Sequence, residues 1–294
     1  MAISSTECST WFAVYLTITV AIVAVNLHSM TLFVKNSNLH TRAMYLVINL
    51  TVADMFVGGI ATVFIVFHFL LNGCEMRFRS KQFLAAQEWQ PFLVIVMIDI
   101  WLSLTSVTGI TVISLDRMYA TFRPFKHRNI KKWAYGVIIA GVWTLTAMIL
   151  IPFQQRQLVF PLYLWRSYCF LCLIVIGVSY TSIALKFWCG TRPPSHDAAN
   201  RQRKLTVTLF IMTIVSLLLW LPDIILTFLF LTVIHTLSFT TFLRLKLYFI
   251  LLYHTNFLVN PIIYTIRMPE FRRALLISFK RRQGQNAVIP LQAR

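Results

Sequence analysis

The sequence predicts an all-α membrane protein, a bundle of seven transmembrane helices with a short amphipathic eighth helix, and three observations predict it. Hydrophobic residues make up 58% of the 294-residue chain and charged residues only 12%, where soluble domains carry about 25%. Seven apolar runs reach the roughly 20 residues that a helix needs to cross a bilayer core. The basic residues gather between alternate runs. The short alternating segments of a closed β-barrel are not visible, and there is no internal repeat, low-complexity tract or second domain.

The runs fall at Phe12–Phe33, Met44–Leu70, Pro91–Phe122, Trp133–Ile151, Ser167–Trp188, Lys204–Val233 and Leu243–Ile266. This divides the chain into a short extracellular N-terminus (1–11), a seven-helix region (12–266) and a cytoplasmic tail with the amphipathic helix (267–294). The first ten residues lack the basic start of a cleavable signal peptide, so the first run acts as its own insertion signal. The formal charge of +18 invites a nucleic-acid partner, but 20 of the 27 basic residues lie on one alternating set of connections and the tail. Positive residues so distributed mark the cytoplasmic side. The charge is therefore a topology signal, with attraction to anionic membrane lipids as a secondary effect. The remaining basic residues, Arg166 and Arg244 among them, are placed in outer connections.

The third run works as a ruler. Asp99, Ser103, Ser106, Ile110, Ile113 and Arg117 recur at three- and four-residue steps, so they share one helix face. Polar groups on that face require it to point into the bundle. At about 1.5 Å per residue, Asp99 and Arg117 stand roughly 27 Å apart, one near each end. The second run carries Asn49-Leu50 and Asp54; the sixth, Trp220-Leu221-Pro222; the seventh, Asn256 and then Asn260-Pro261-Ile262-Ile263-Tyr264. Pro222 and Pro261 break the backbone ladder and loosen their helices. After the seventh run, Phe271, Leu275 and Leu276 can enter the interface while Arg272, Arg273 and Lys280 meet headgroups.

Asp116-Arg117-Met118 closing the third run, Trp220-Leu221-Pro222 in the sixth and Asn260-Pro261-Ile262-Ile263-Tyr264 in the seventh together resemble the rhodopsin-like (class A) G-protein-coupled receptors, over nearly the whole chain. The resemblance implies a plasma-membrane receptor with its N-terminus outside, a heterotrimeric G protein as partner and no enzymatic activity. It implies that Asp116 holds Arg117 at rest and that Arg117, Pro222, Pro261 and Tyr264 belong to the activation switch. It also implies a sodium pocket of Asp54, Ser106, Asn256 and Asn260, for which a polar packing network is the alternative. For Arg117 the alternative is a helix-end residue snorkelling to the headgroups.

The expected ligand site comprises Asp99, Ser103, Trp220, Asp223 and His254. Asp99 stands where receptors of this family for biogenic amines keep the acid that binds the ligand's ammonium. Two carboxylates without a resident base favour a small cationic ligand, an amine or a short basic peptide. Pairing of Asp99 with His254, or protonation of one of the two acids, is the alternative. Helix-five serines for a catechol are missing, with Leu164, Trp165 and Tyr168 in their place.

Other family features depart from the pattern. Met118 replaces Tyr, Gln202 replaces an acid at the start of helix six, and Cys172 and Ser216 replace packing residues. Phe92 replaces the helix-three cysteine, so of the five cysteines Cys8, Cys74 and Cys169 are left as those able to reach the oxidising side. The missing residues and the short second outer loop are loosely similar to the melanocortin and cannabinoid branches. An opsin is disfavoured because the retinal-binding Lys position, seven before Pro261, holds His254; no cofactor is expected beyond an allosteric sodium. A non-signalling receptor for a peptide or lipid, or a cation transporter or channel, is the competing reading.

Overall fold

The computed structural model describes residues 4–36, 42–66, 89–151, 159–189, 207, 210–211, 214–226, 228–229, 239–267 and 271–278. Each of the seven apolar runs is helical there, and no strand occurs among the described residues. In chain order the helices are α1 (Ser5–Lys35), α2 (Arg42–Val66), α3 (Trp89–Phe122), a short loop helix α4 (Pro124–Arg128), α5 (Lys132–Met148) and α6 (Val159–Cys189). They continue as α7 (Ile214–Leu226), α8 (Phe239–Arg267) and α9 (271–278). Four of them, α1, α2, α3 and α6, contain spans long and apolar enough to cross a membrane. The chain is an all-α seven-transmembrane bundle.

Two starts differ from expectation. α1 begins at Ser5, with Ser4 accepting a bond from the Glu7 amide at 3.1 Å; this cap supplies a partner for one amide that a helix start leaves unpaired. α6 begins at Val159, eight residues before the expected Ser167, and therefore takes in Arg166.

The long α3 lies at the centre, against α2, α5 and α6. Its inward face is built as the spacing required: Ser103, Ser106, Ile110, Ile113 and Arg117 are all buried. Side-chain bonds fix the neighbours. Trp143 Nε1 donates to Asn49 Oδ1 at 2.8 Å, joining α5 to α2, while Thr105 and Thr146 hydroxyls pair at 2.9 Å between α3 and α5. In hydrocarbon no water competes for these groups, so they settle helix rotation as well as pairing. α1 approaches α2 closely at Gly58, where a Cβ would sit 2.7 Å from Ile22 Cγ2.

α8 contains Pro261 within its length. Proline has no amide hydrogen, so the carbonyl four residues earlier, on Phe257, loses its helical donor. Asn26 of α1 supplies one: its Nδ2 donates to Phe257 O at 2.9 Å and to its own Ile22 O at 3.0 Å. α9 follows with Phe271 and Ala274 buried, Phe271 against Phe33 of α1 at a ring separation of 5.2 Å. Phe271 thus anchors α9 to the bundle, correcting the expectation that it faces lipid; exposed Leu276 and Ile277 form the apolar face instead.

Candidate functional site

At one end of α3, Asp116 collects three side chains. Arg117 pairs with its Oδ2, with Nε donating at 3.1 Å. His127 Nε2 lies 2.9 Å from Oδ1, and the Tyr135 hydroxyl donates to the same oxygen at 3.0 Å. Arg117 is 3% exposed. An arginine this deep needs its charge compensated, and it turns inward here instead of reaching for headgroups. The sequence pattern singled out Asp116 and Arg117 but missed His127 and Tyr135. His127 comes from α4, whose start is set by Pro124 in its first turn, and Tyr135 from the first turn of α5. Gln202 lies outside the described residues. The backbone of Tyr264 is in α8, but its side chain lies outside the described ones.

Midway along the bundle, Asp54 is wholly buried and receives bonds from Ser106 Oγ and Asn260 Nδ2, both at 2.7 Å. Asn256 is equally buried, and neither of its amide atoms has a hydrogen-bond partner; the same is true of Asn260 Oδ1. A carboxylate with a hydroxyl and the unspent Asn260 amide oxygen is the kind of donor set a hard cation uses, and Asn256, one helical turn from Asn260, carries a further unspent amide oxygen. Among the described residues no group of three or more His, Cys, Asp or Glu side chains forms a metal cluster.

Toward the other end lie Asp99, Ser103, Trp220, Asp223 and His254. Trp220 stacks near Tyr253 with ring centres 5.3 Å apart, and the Tyr253 hydroxyl donates to Ser103. The structure also brings in Arg166, which overturns the premise that the two acids lack a resident base. Arg166 Nη2 lies 2.6 Å from Asp223 Oδ2, and both side chains are 4% exposed. It sits in α6, not in an outer loop, with its guanidinium 3.9 Å from the Trp165 ring centre. A planar cation on an aromatic face is favourable, more so when desolvated.

Asp99 is not paired with His254. His254 Nδ1 is bonded to Ile250 O at 2.8 Å, and its Nε2 has no hydrogen-bond partner. Asp99 Oδ1 is buried and likewise accepts no hydrogen bond, although Asp99 lies within electrostatic reach of both Arg166 and Asp223. The order Asp99, Asp54, Asp116 therefore runs down the bundle as three separate polar stations.

Of the cysteines, Cys169 and Cys172 are free and buried in α6, which removes Cys169 from the disulfide candidates. Cys8 is disulfide-bonded, with its partner outside the described side chains; Cys74 lies outside the described residues.

Residues 25–160 match the family model described as 7 transmembrane receptor (rhodopsin family). The chain is 22% identical to the substance-K receptor of Bos taurus, over 93% of this chain and 76% of that one. It is 24% identical to lysophosphatidic acid receptor 1-A of Xenopus laevis, over 87% and 71% of the two chains. Melanocortin receptor 5 of Bos taurus is also 24% identical, over 82% and 75%. With the all-helical bundle and its motif-bearing segments, these likenesses support a rhodopsin-like (class A) seven-transmembrane receptor. It is a multi-pass membrane protein and a receptor, not an enzyme.

Proposed function

We propose that this receptor sits in the plasma membrane with its N-terminus outside, binds a small cationic ligand at Asp99, and activates a heterotrimeric G protein through the Asp116–Arg117 end. The observation that carries the ligand assignment is Asp99 Oδ1, a buried carboxylate oxygen that accepts no hydrogen bond. Burying a charged oxygen without a partner costs several kcal/mol, and an incoming ammonium would remove that cost with a charge-assisted bond, the strong kind. Trp220 lies one turn from Asp223, beside the Pro222 break in α7, so pressure from a ligand reaches the point where that helix yields most easily.

The midway station supports a sodium ion held by Asp54, Ser106, Asn256 and Asn260. A bound cation there would neutralise Asp54 and hold α2, α3 and α8 together. At the far end, Asp116 holds Arg117 back at rest, and release of Arg117 offers a cation to the G protein.

The relatives favour a second reading of the ligand. They are named as receptors for substance K, lysophosphatidic acid and melanocortin, so a peptide or lipid ligand is the alternative. Nucleotide exchange on a panel of G proteins, with parent and Asp99→Ala receptors, separates the two. Loss of a buried charged partner costs about 2–5 kcal/mol, which is roughly 30-fold or more in affinity. A cationic agonist should lose at least that on Asp99→Ala. A neutral lipid acting equally on both receptors would sink the cationic reading.

A further inference from the structure

The ligand end gathers Asp99, Arg166 and Asp223, with His254 turned to its own helix backbone through Nδ1. Arg166 and Asp223 form a buried pair at 2.6 Å, and Asp99 stands within electrostatic reach of both. Arg166 compensates Asp223, while Asp99 Oδ1 is buried and accepts no hydrogen bond. A buried cluster is least costly when its charges cancel. A singly charged cation achieves that; a dication overshoots by one charge, and a neutral molecule leaves Asp99 uncompensated.

A second observation bears on the rest of the ligand. The Nε–H of Arg166 and the Nε1–H of Trp165 are both buried without an acceptor. The guanidinium lies 3.9 Å from the Trp165 ring centre, so the two residues that carry these donors are stacked together. Unsatisfied buried donors are costly, and a neutral acceptor on the ligand, a carbonyl or hydroxyl oxygen, would satisfy them without adding charge.

We propose that Arg166 is the specificity-determining residue for ligand charge: by neutralising Asp223 it leaves Asp99 as the open carboxylate, so the site selects a monocation bearing a neutral hydrogen-bond acceptor over a dication. This rests on the assignment of the Asp99 end as the cation site. Arg166 acts in it as a fixed internal cation, occupying the place that a second ammonium would otherwise take.

The test uses the full chain in lipid nanodiscs and two probes, an n-alkylamine and the α,ω-diamine of the same carbon number, read by ligand-induced thermal shift across a concentration series. The parent should favour the monoamine. Asp223→Asn frees Arg166 to engage Asp99 and should weaken the monoamine by about 30-fold or more, the lower bound for losing a buried charged partner. Adding Arg166→Gln to Asp223→Asn removes both charges of the pair and should restore monoamine binding. Arg166→Gln alone takes the guanidinium away from Asp223 and should turn the preference toward the diamine; if that variant does not fold, the other two decide. Parental monoamine affinity in Asp223→Asn, or a parent that favours the diamine, would overturn the role of Arg166. A parent stabilised by neither probe overturns the cation site itself, and this inference with it.

Discussion

The Arg166–Asp223 pair makes a prediction about stability that can be worked from its geometry. At 2.6 Å, with an effective dielectric near 20, the attraction is about 6 kcal/mol before desolvation is subtracted. Desolvation consumes most of that, so the pair contributes little net, yet removing one partner leaves a buried charge alone. Arg166→Met or Asp223→Leu should each destabilise the receptor by about 3–5 kcal/mol, while the double substitution should be neutral or stabilising. An ordinary polar contact between membrane helices would instead give about 0.6 kcal/mol per substitution. Unfolding in mixed micelles, followed by tryptophan fluorescence, reads the difference; Trp165 against the guanidinium is a local reporter. Singles costing under about 1 kcal/mol, or a double as costly as their sum, would refute a buried ion pair joining α6 to α7.

Three further outcomes follow from the same contacts. Arg117→Ala should abolish nucleotide exchange while leaving surface expression largely intact, because Asp116 keeps His127 and Tyr135 as partners when Arg117 is removed; equal exchange from both receptors would end that assignment. Asp54→Asn removes the formal charge that Ser106 and Asn260 hold, so added sodium should no longer weaken agonist affinity, and a persisting sodium effect would place the ion elsewhere. Gly58→Val puts side-chain atoms where a Cβ already meets Ile22 at 2.7 Å; overpacking should cost about 1–3 kcal/mol, and an unchanged melting temperature would contradict the close approach of α1 and α2.

The features that sequence revealed are those whose physics repeats locally. Bilayer crossing needs a long apolar run, so the seven segments stood out, and the three- and four-residue steps from Asp99 to Arg117 placed their shared face inward. Arg166 was misplaced for the same reason. A charge beside an apolar run reads as its end, so the sequence alone starts the fifth run at Ser167. What makes Arg166 tolerable inside is Asp223 on another helix, and no local pattern announces a partner so far along the chain. His127 and Tyr135 were hidden likewise: their contact with Asp116 depends on a turn through α4 that returns the chain toward α3. The Tyr253 bond to Ser103 spans 150 residues. Helical faces are written in spacing; encounters between faces are written in the packing of the bundle.

The bond from Asn26 to the Phe257 carbonyl joins residues 231 positions apart, and this bears on how the chain is assembled during synthesis. α1 emerges first and α8 nearly last. Until α8 arrives, Asn26 can donate only within its own helix, to Ile22. Without Asn26 of α1, α8 carries a carbonyl at its proline break that has lost its helical donor. Neither helix is complete alone, and the defect in each is repaired by the other. A nascent chain stopped before Phe257 would therefore display an unclosed edge, a difference that quality control in the membrane could read as the mark of an unfinished receptor.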